Sequence, residues 1–386
     1  MIVAGIMSGT SADGINVALV RFRSSHRPGP SAAPRFELLA HAEYPYPKPV
    51  RAAVLAAMNA PRASVADLSR LNFLLGDLYA EAVLSTQQRF RVKADLIGCH
   101  GQTIYHQGDA APFLGRKLKA TWQIGEGAIL AARTRVPVVS DFRPADLAVD
   151  GKAAPLVPFL DYLVYRDKRV GRIAQNIGGI ANLTAIPANA SPAKLIAFDT
   201  GPGNMVIDAV TERLFHRRYD RDGRIAASGA VLELVVSHFL RAPFFRCQPP
   251  KTAGREEFGR EFVRAFLEKC GRTRKPDIVA TATAFTARSI ADALGRFVIK
   301  KPRAYRDLVV SGGGARNSVL LAMLANEIHP LGLMLRLSDE FGLPSEAKEA
   351  VAFAVLAYQT WNRLPSNVPS ATGASKPAIL GKVSYA

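Results

Sequence analysis

Cysteine is scarce in this chain. Three occur in 386 residues, Cys99, Cys247 and Cys270, and no two form a C-x-x-C. An odd number at wide spacing excludes a disulfide framework and a cysteine zinc site, so buried free thiols are expected. Long apolar runs are missing too. None approaches the roughly 18–20 residues that span a bilayer. The first residues lack a basic segment followed by an apolar stretch and a cleavage site, so no secretory signal is expected. A soluble, cytoplasmic protein with no membrane partner is the expectation. Acidic residues are in deficit, 32 against 50 lysines and arginines, giving a formal charge of +18. Nucleic acid would be one reason for such an excess. The basic clusters at 213–224, 272–275 and 300–306 are short and scattered, without interleaved aromatics. A solvated basic surface is expected, with no nucleic-acid partner. Such a field also draws in anionic ligands.

Several catalytic signatures are absent. There is no G-x-x-x-x-G-K-[ST], which excludes the Walker phosphate loop. There is no G-x-S-x-G, so a hydrolase nucleophile elbow has no support. Gly201-Pro202-Gly203 lacks the third glycine of a dinucleotide fingerprint. His100 and His106 are six residues apart with no third ligand nearby, so metal ligation by histidine is not expected.

Two segments of small residues stand out instead. The first runs from Val3 to Val20, where apolar residues flank Ser8-Gly9-Thr10-Ser11-Ala12-Asp13-Gly14. The second, from Ile173 to Ile186, carries Gly178-Gly179. One such hairpin in each half predicts two related lobes that grip an anionic ligand between them. Glycines let a backbone approach phosphate and aim N–H groups at it, and hydroxyls add donors without bulk. Asp13 is placed to hold Mg²⁺ through water. A plain tight turn is the other reading of the same composition.

Apolar strands alternate with helical patterns, which predicts an α/β protein with about two domains. Strands are expected at Phe36–Tyr44, Ala94–His100, Val136–Ser140, Leu195–Phe198 and Leu308–Val310. Helices are expected at Ser64–Phe90, with Ser64 and Asp67 resembling a capping box, and at Glu346–Trp361. Arg23–Pro34 reads as a loop and Pro365–Pro377 as irregular chain. Polar residues just beyond the strands sit where parallel sheets bind ligands. Asp199 follows a strand directly. It reads either as a general base or as a helix N-cap. Gly312-Gly313-Gly314 reads either as a nucleoside platform or as a strand–helix connector. His100, beside Gly101 and Gln102, suits a polar substrate contact. Glu349 reads as a solvated helix residue or a cleft-facing contact.

Taken in order, these motifs resemble the anhydro-N-acetylmuramic acid kinases. Gly5 to Gly14, His100-Gly101-Gln102-Thr103, Gln123-Ile124-Gly125, Asp141-Phe142-Arg143, Ala154 to Pro158 and Asn176 to Asn182 are similar to that family. So are Phe198 to Asn204, Pro250-Lys251, Gly254-Arg255-Glu256, Ser311 to Gly314 and Glu349 to Ala354. The resemblance covers essentially the whole chain. It implies a two-lobed hexokinase/actin-like (ribonuclease H-like) fold with mixed sheets and an active site in the interlobe cleft. A first lobe over 1–170, a hinge near 165–172 and a second lobe over 171–386 are expected, with the C-terminal tail crossing back. The implied reaction is ATP-dependent phosphorylation of 1,6-anhydro-N-acetylmuramic acid with opening of the anhydro bridge, in cell-wall recycling. The alternatives are a kinase of the same fold for another sugar, or a nucleotide-binding protein without catalysis.

The resemblance also implies roles. Asp199 is the base. Gly9, Thr10, Ser11, Ala12, Asp13, Gly14, Ile15 and Asn16 form the first phosphate loop, and Gly178 and Gly179 the second. Gly312, Gly313 and Gly314 lie by the nucleoside. Arg143 and Glu349 contact sugar and water, and His100 and Gln102 line the sugar pocket. ATP, Mg²⁺ and a homodimer are expected. The chain departs from the family at three places. Asn16 stands where an Asp is typical, Asp150-Gly151-Lys152-Ala153 replaces a Gly-Gly-Gln-Gly segment, and Thr252-Ala253-Gly254 stands where Ser-Thr-Gly is common. Loss of a carboxylate at 16 is expected to weaken Mg²⁺ handling, and the altered 150–153 segment to reshape the sugar pocket.

Overall fold

A computed structural model describes residues 1–9, 12–23, 34–301 and 303–386. Thr10, Ser11 and most of the expected 23–34 loop lie outside the described residues. The chain forms two compact units, Met1–Leu163 with Ala347–Ala386, and Val164–Glu346. The expected lobe border at 170 sits seven residues from the observed break, and the last forty residues pack with the first unit.

In chain order, the first unit contains β1 (Ile2–Ser8), β2 (Gly14–Arg23), β3 (Arg35–Pro45), α1 (Lys48–Ala57), α2 (Val65–Phe90), β4 (Leu96–Phe113), β5 (Arg116–Ile124), α3 (Gly127–Thr134), β6 (Val138–Ser140) and α4 (Phe142–Leu147). Helix α5 (Pro158–Tyr165) runs over the border. The second unit contains β7 (Arg172–Ile177), β8 (Ile180–Ile186), β9 (Ile196–Pro202), α6 (Asn204–Phe215), α7 (Glu233–Phe239), α8 (Pro243–Arg246), α9 (Arg255–Phe258), α10 (Arg260–Cys270), α11 (Lys275–Ala293), β10 (Asp307–Ser311), α12 (Ser318–Ile328) and β11 (Met334–Leu337). The chain then returns to the first unit with α13 (Lys348–Trp361), α14 (Pro369–Thr372) and β12 (Lys382–Ser384).

The two sheets share one topology. In the first, the order is β12-β6-β4-β1-β2-β3, with β5 paired to β4. In the second it is β11-β10-β7-β8-β9. Each opens with an antiparallel meander and then adds parallel strands on the far side of the first strand. In both, the turn between the first two strands is a small-residue hairpin lying at the end where the parallel strands finish. That end is where open α/β sheets hold ligands.

Local chemistry explains the elements. Ser64 caps α2, its hydroxyl accepting from the Asp67 amide at 3.3 Å. Leu71, Leu75, Tyr79 and Val83 recur at helical spacing on the buried face of α2, each worth about 1.5–3 kcal/mol on burial. Helix α13 is rich in alanine because it lies almost on the strands. A Cβ at Gly5 would meet the Ala350 carbonyl oxygen at 1.9 Å, and one at Gly98 that of Phe353 at 2.2 Å. Helix α11 is buried nearly all round, and its alanines and threonines let neighbours approach closely. Threonine hydroxyls there donate back to carbonyls four residues earlier, as from Thr283 to Val279.

Three elements differ from expectation, one of them β9, which runs on through Asp199 to Pro202 rather than ending at Phe198. Strand β4 does not stop at His100 but continues to Phe113, because its second half forms a long hairpin with β5. The 365–377 segment, expected to be irregular, contains the short α14. One thiol also departs from expectation, since Cys247 is exposed, whereas Cys99 and Cys270 are buried. Burial pushes the Cys99 thiol up to about 12 and that of Cys270 to about 11, so both remain protonated. Among the described residues no helix is long and apolar enough to cross a membrane.

Candidate active site

In the first unit, the β1–β2 turn is held from below. The Ala12 amide donates to the Gly9 carbonyl at 3.0 Å, and Ala12 takes a φ of 52°. Gly14 must be glycine, since a Cβ would lie 2.2 Å from the Tyr44 carbonyl oxygen. Ser8 is buried and shares a hydrogen bond of 2.8 Å with the Tyr79 hydroxyl. Gln102, expected to line the sugar pocket, is buried, and its amide donates to the Gly9 carbonyl at 3.1 Å, which ties it to the start of the loop. Parallel pairing of β1 with β4 sets Ser8 opposite Gln102 and makes that bond possible. Asp13 is exposed and pairs with Arg51 at 3.4 Å. An exposed carboxylate at this turn fits Mg²⁺ held through water, since that ion keeps most of its hydration shell. Asn16 Oδ1 lies 3.1 Å from His41 Nε2. Among the described residues no cluster of three or more His, Cys, Asp or Glu is placed to hold a metal directly.

His100, Arg143 and Glu349 belong to the same unit, and the first two touch. His100 is 3% exposed, and burial with the nearby Arg143 charge drives its pKa well below the ordinary value. The ring is therefore neutral. Nδ1 lies 2.7 Å from the Gly101 carbonyl oxygen, which can only accept, so Nδ1 carries the hydrogen. Nε2 then accepts from Arg143 Nε at 3.0 Å. The imidazole packs against Phe353 of α13, with centroids 4.6 Å apart. Both nitrogens being engaged, His100 orients Arg143 rather than offering a free ring. Arg143 also donates to the Ala153 carbonyl at 2.5 Å. Burial lowers its pKa to about 10, with Glu349 and Asp146 pulling it back up, so it stays charged at neutral pH.

Asp146, which the motifs did not single out, organises this corner. It is fully buried and accepts from Asn367, Thr372 and the Ala153 amide at 2.8–2.9 Å. A Cβ on Gly151 would strike Asp146 Oδ2 at 2.0 Å. The altered 150–153 segment is thus folded around Asp146, and through Ala153 it reaches Arg143. Glu349 is exposed on the first turn of α13. The residue before it, Lys348, is buried and paired with Asp161 at 2.7 Å, which fixes that turn. His100 and Asp141 also line a polar cavity of about 290 Å³ with Gln123, Glu126, Ser140 and Lys382.

In the second unit, the Gly178-Gly179 turn caps α6. The amides of Gly203 and Met205 donate to the Gly179 carbonyl, and that of Asn204 to Gly178, at 2.7–3.1 Å. A Cβ on Gly203 would meet the Gly178 oxygen at 2.2 Å. The glycine-rich run after β10 reaches the same place. Gly312 has a φ of 86°, and a Cβ on it would lie 2.6 Å from Asn176 Oδ1; Gly314 abuts Ile177. The structure therefore brings Gly178, Gly179, Gly312, Gly313 and Gly314 together around the end of β7. Register across the sheet also aligns Asn176, Asn182 and Asp199 opposite one another on neighbouring strands, a polar row that single motifs did not reveal.

Asp199 is not a helix N-cap, because α6 begins only at Asn204 with Gly203 as its cap. It lies in β9, where a register shift between Ala181 and Asn182 leaves Thr200 as an extra residue. The Thr200 hydroxyl ties to the Ala181 carbonyl at 3.1 Å. Asp199 Oδ2 accepts from the Ala253 amide at 2.8 Å. Burial raises its carboxyl from 3.8 to about 6, and Glu257 adds to that, while the Ala253 amide and Lys251 oppose it. A half-buried carboxylate poised near neutrality can take a proton from a hydroxyl or a water.

A repeated meander-plus-parallel sheet, with a glycine hairpin in each copy, defines an α/β protein of the hexokinase/actin-like class. Comparison with known proteins narrows this. The model of the family described as "AnmK: Anhydro-N-acetylmuramic acid kinase" matches residues 1–386. A protein of Bacillus cereus named anhydro-N-acetylmuramic acid kinase is 42% identical over 388 residues, covering 100% of this chain and 99% of that one. One of the same name from Bacillus thuringiensis subsp. konkukian is 41% identical with the same coverage. Among solved structures, a ROK family glucokinase from Streptomyces griseus in complex with glucose and AMPPNP is a distant likeness. It shows 12% identity and a TM-score of 0.41, over 93% of this chain and 100% of that chain. The chain belongs to the anhydro-N-acetylmuramic acid kinase family.

Proposed function

We propose that this protein is an ATP-dependent kinase that converts 1,6-anhydro-N-acetylmuramic acid into N-acetylmuramic acid 6-phosphate during cell-wall recycling. We place it in the cytoplasm, as a homodimer. The observation that carries the reading is Asp199, a half-buried carboxyl at about 6 with one oxygen held by the Ala253 amide. An anhydro sugar has no free 6-hydroxyl, so a water must open the ring. Asp199 takes a proton from that water as its oxygen bonds to the anomeric carbon. The bond from that carbon to O6 breaks, and O6 uses the released electron pair to bond the γ-phosphorus as ADP leaves. Atoms balance as anhydro sugar, water and ATP giving the 6-phosphosugar, ADP and a proton.

The remaining residues bind and orient. The hairpin at 9–16 and Gly178-Gly179 are assigned to the phosphates, and Gly312-Gly313-Gly314 to the nucleoside. Arg143 and Glu349 hold the sugar and the water. Asp13 would hold Mg²⁺ through its water shell. The ion's contribution when bound is to neutralise charge on the transferring phosphoryl group. The test is ADP release by the purified protein with ATP and Mg²⁺, with and without the anhydro sugar. Release that depends on the sugar supports the reading, and sugar-independent release overturns it. A second reading, a kinase for a different sugar, draws on Asn16 and on the 150–153 segment folded around Asp146. Activity confined to sugars with a free hydroxyl would favour it.

A further inference from the structure

Lys251 is a buried cation. It is 8% exposed, yet among the described residues no carboxylate lies within ion-pair distance. Lysines are seldom buried unless paired. Three rings surround the ammonium instead. Nζ lies 4.5 Å from the Phe244 centroid, 4.7 Å from Phe297 and 5.8 Å from Phe198. It also donates to the Phe244 carbonyl at 3.0 Å. Phe198 and Phe297 meet edge to face at 5.8 Å, so the walls brace one another. Each cation–ring contact in a desolvated setting is favourable, but an aliphatic side chain would fill this cage without desolvating a charge.

The backbone around Lys251 suggests what the charge is for. The Lys251 carbonyl accepts from the Asp199 amide at 3.0 Å. Two residues on, the Ala253 amide donates to Asp199 Oδ2 at 2.8 Å. The 251–253 segment thus grips Asp199 at both main chain and side chain. Phe198, one wall of the cage, is the residue before Asp199. Displacing Lys251 would loosen the base from both sides.

We propose that Lys251 is a positioning residue for the base: its caged ammonium anchors the 251–253 segment, and that segment aims the Asp199 carboxylate. The proposal rests on Asp199 being the base. The titratable groups that face Asp199 are Glu257 and Lys251, and those that face Lys251 are Cys247, Asp292, Arg296 and Asp199.

The test is Lys251→Met, which fills the cage without charge, beside Lys251→Arg and the wild type. Two readouts are taken, the steady-state pH profile and direct NMR titration of the Asp199 carboxyl carbon. In Lys251→Met, kcat should fall about tenfold or more, a part of the roughly 10²–10⁴ that a positioned base contributes. KM for sugar and ATP should change less than about twofold. The Asp199 titration should move upward by roughly half a pH unit, because a nearby positive charge is lost. Lys251→Arg should recover much of both. A folded Lys251→Met with wild-type kcat and an unmoved titration overturns the proposal, as does a loss of thermal stability alone. If Lys251→Met does not fold, Phe297→Leu removes one cage wall and is read the same way. Unchanged kcat and titration there overturn the proposal. An inactive wild type would overturn the kinase reading, whereas the titration would still report whether Lys251 governs Asp199.

Discussion

Replacing Asp199 by Asn should move activity and stability in opposite directions. The new side chain keeps an oxygen to accept the Ala253 amide but can no longer take a proton. Turnover should fall by about 10²–10⁴. Stability should rise at alkaline pH. Burial holds the Asp199 carboxyl at about 6 against an ordinary 3.8, so the folded state favours the protonated form. The folded chain therefore binds more protons than the unfolded chain between those values, and wild-type stability declines as pH rises through that window. The full shift amounts to about 3 kcal/mol, at roughly 1.36 kcal/mol per unit. Partial exposure reduces this to about 1–3 kcal/mol. The amide of the variant carries no charge at any pH and escapes the penalty. Thermal melts near pH 3 and pH 8 check this. The variant should match wild type at the lower pH and melt a few degrees higher at the upper one. Equal melting temperatures at both values would refute the idea that Asp199 is held against its ionised form. Wild-type kcat should also fall as pH drops through about 6, and this limb should vanish in the variant.

Arg143→Lys strands His100 Nε2 and the Ala153 carbonyl, and should raise the sugar KM by roughly 10- to 100-fold at little cost in ATP affinity, from steady-state kinetics. Gly203→Ala drives a methyl into the Gly178 carbonyl, and should weaken ATP binding in calorimetry along with overall stability. Lys348→Met removes the cation that neutralises buried Asp161 and should cost about 3–5 kcal/mol, from chemical denaturation; Lys348→Met with Asp161→Leu should recover most of it.

The parts of the fold legible from sequence are those written locally. Both hairpins were visible because small turn residues sit between apolar runs. Helix α2 was visible because its cap and its period lie in one stretch. What was not legible needed partners far along the chain. Gln102 reads as a ligand contact beside His100, and its bond to the Gly9 carbonyl emerges only from the pairing of β1 with β4. Strand β4 was cut short because its second half is stabilised by β5, not by its own apolar residues. Asp146 gained its role only through Asn367 and Thr372, more than two hundred residues later. The Lys251 cage joins Phe198, Phe244 and Phe297 from three separate elements, and no spacing rule connects them. Asp199 drew notice because the strand before it was expected to end at Phe198; it lies inside β9 instead, and the cap reading is removed by Gly203, which takes that position on α6.

The most direct test of the central claim, that Asp199 directs water at the sugar carbon while O6 takes the phosphoryl group, is to run the reaction in heavy-oxygen water and locate the label promptly by mass spectrometry. The account predicts a single heavy oxygen at the anomeric hydroxyl and none in the phosphate of the sugar product or in free phosphate. Label in phosphate would mean that water attacks phosphorus, and would contradict it.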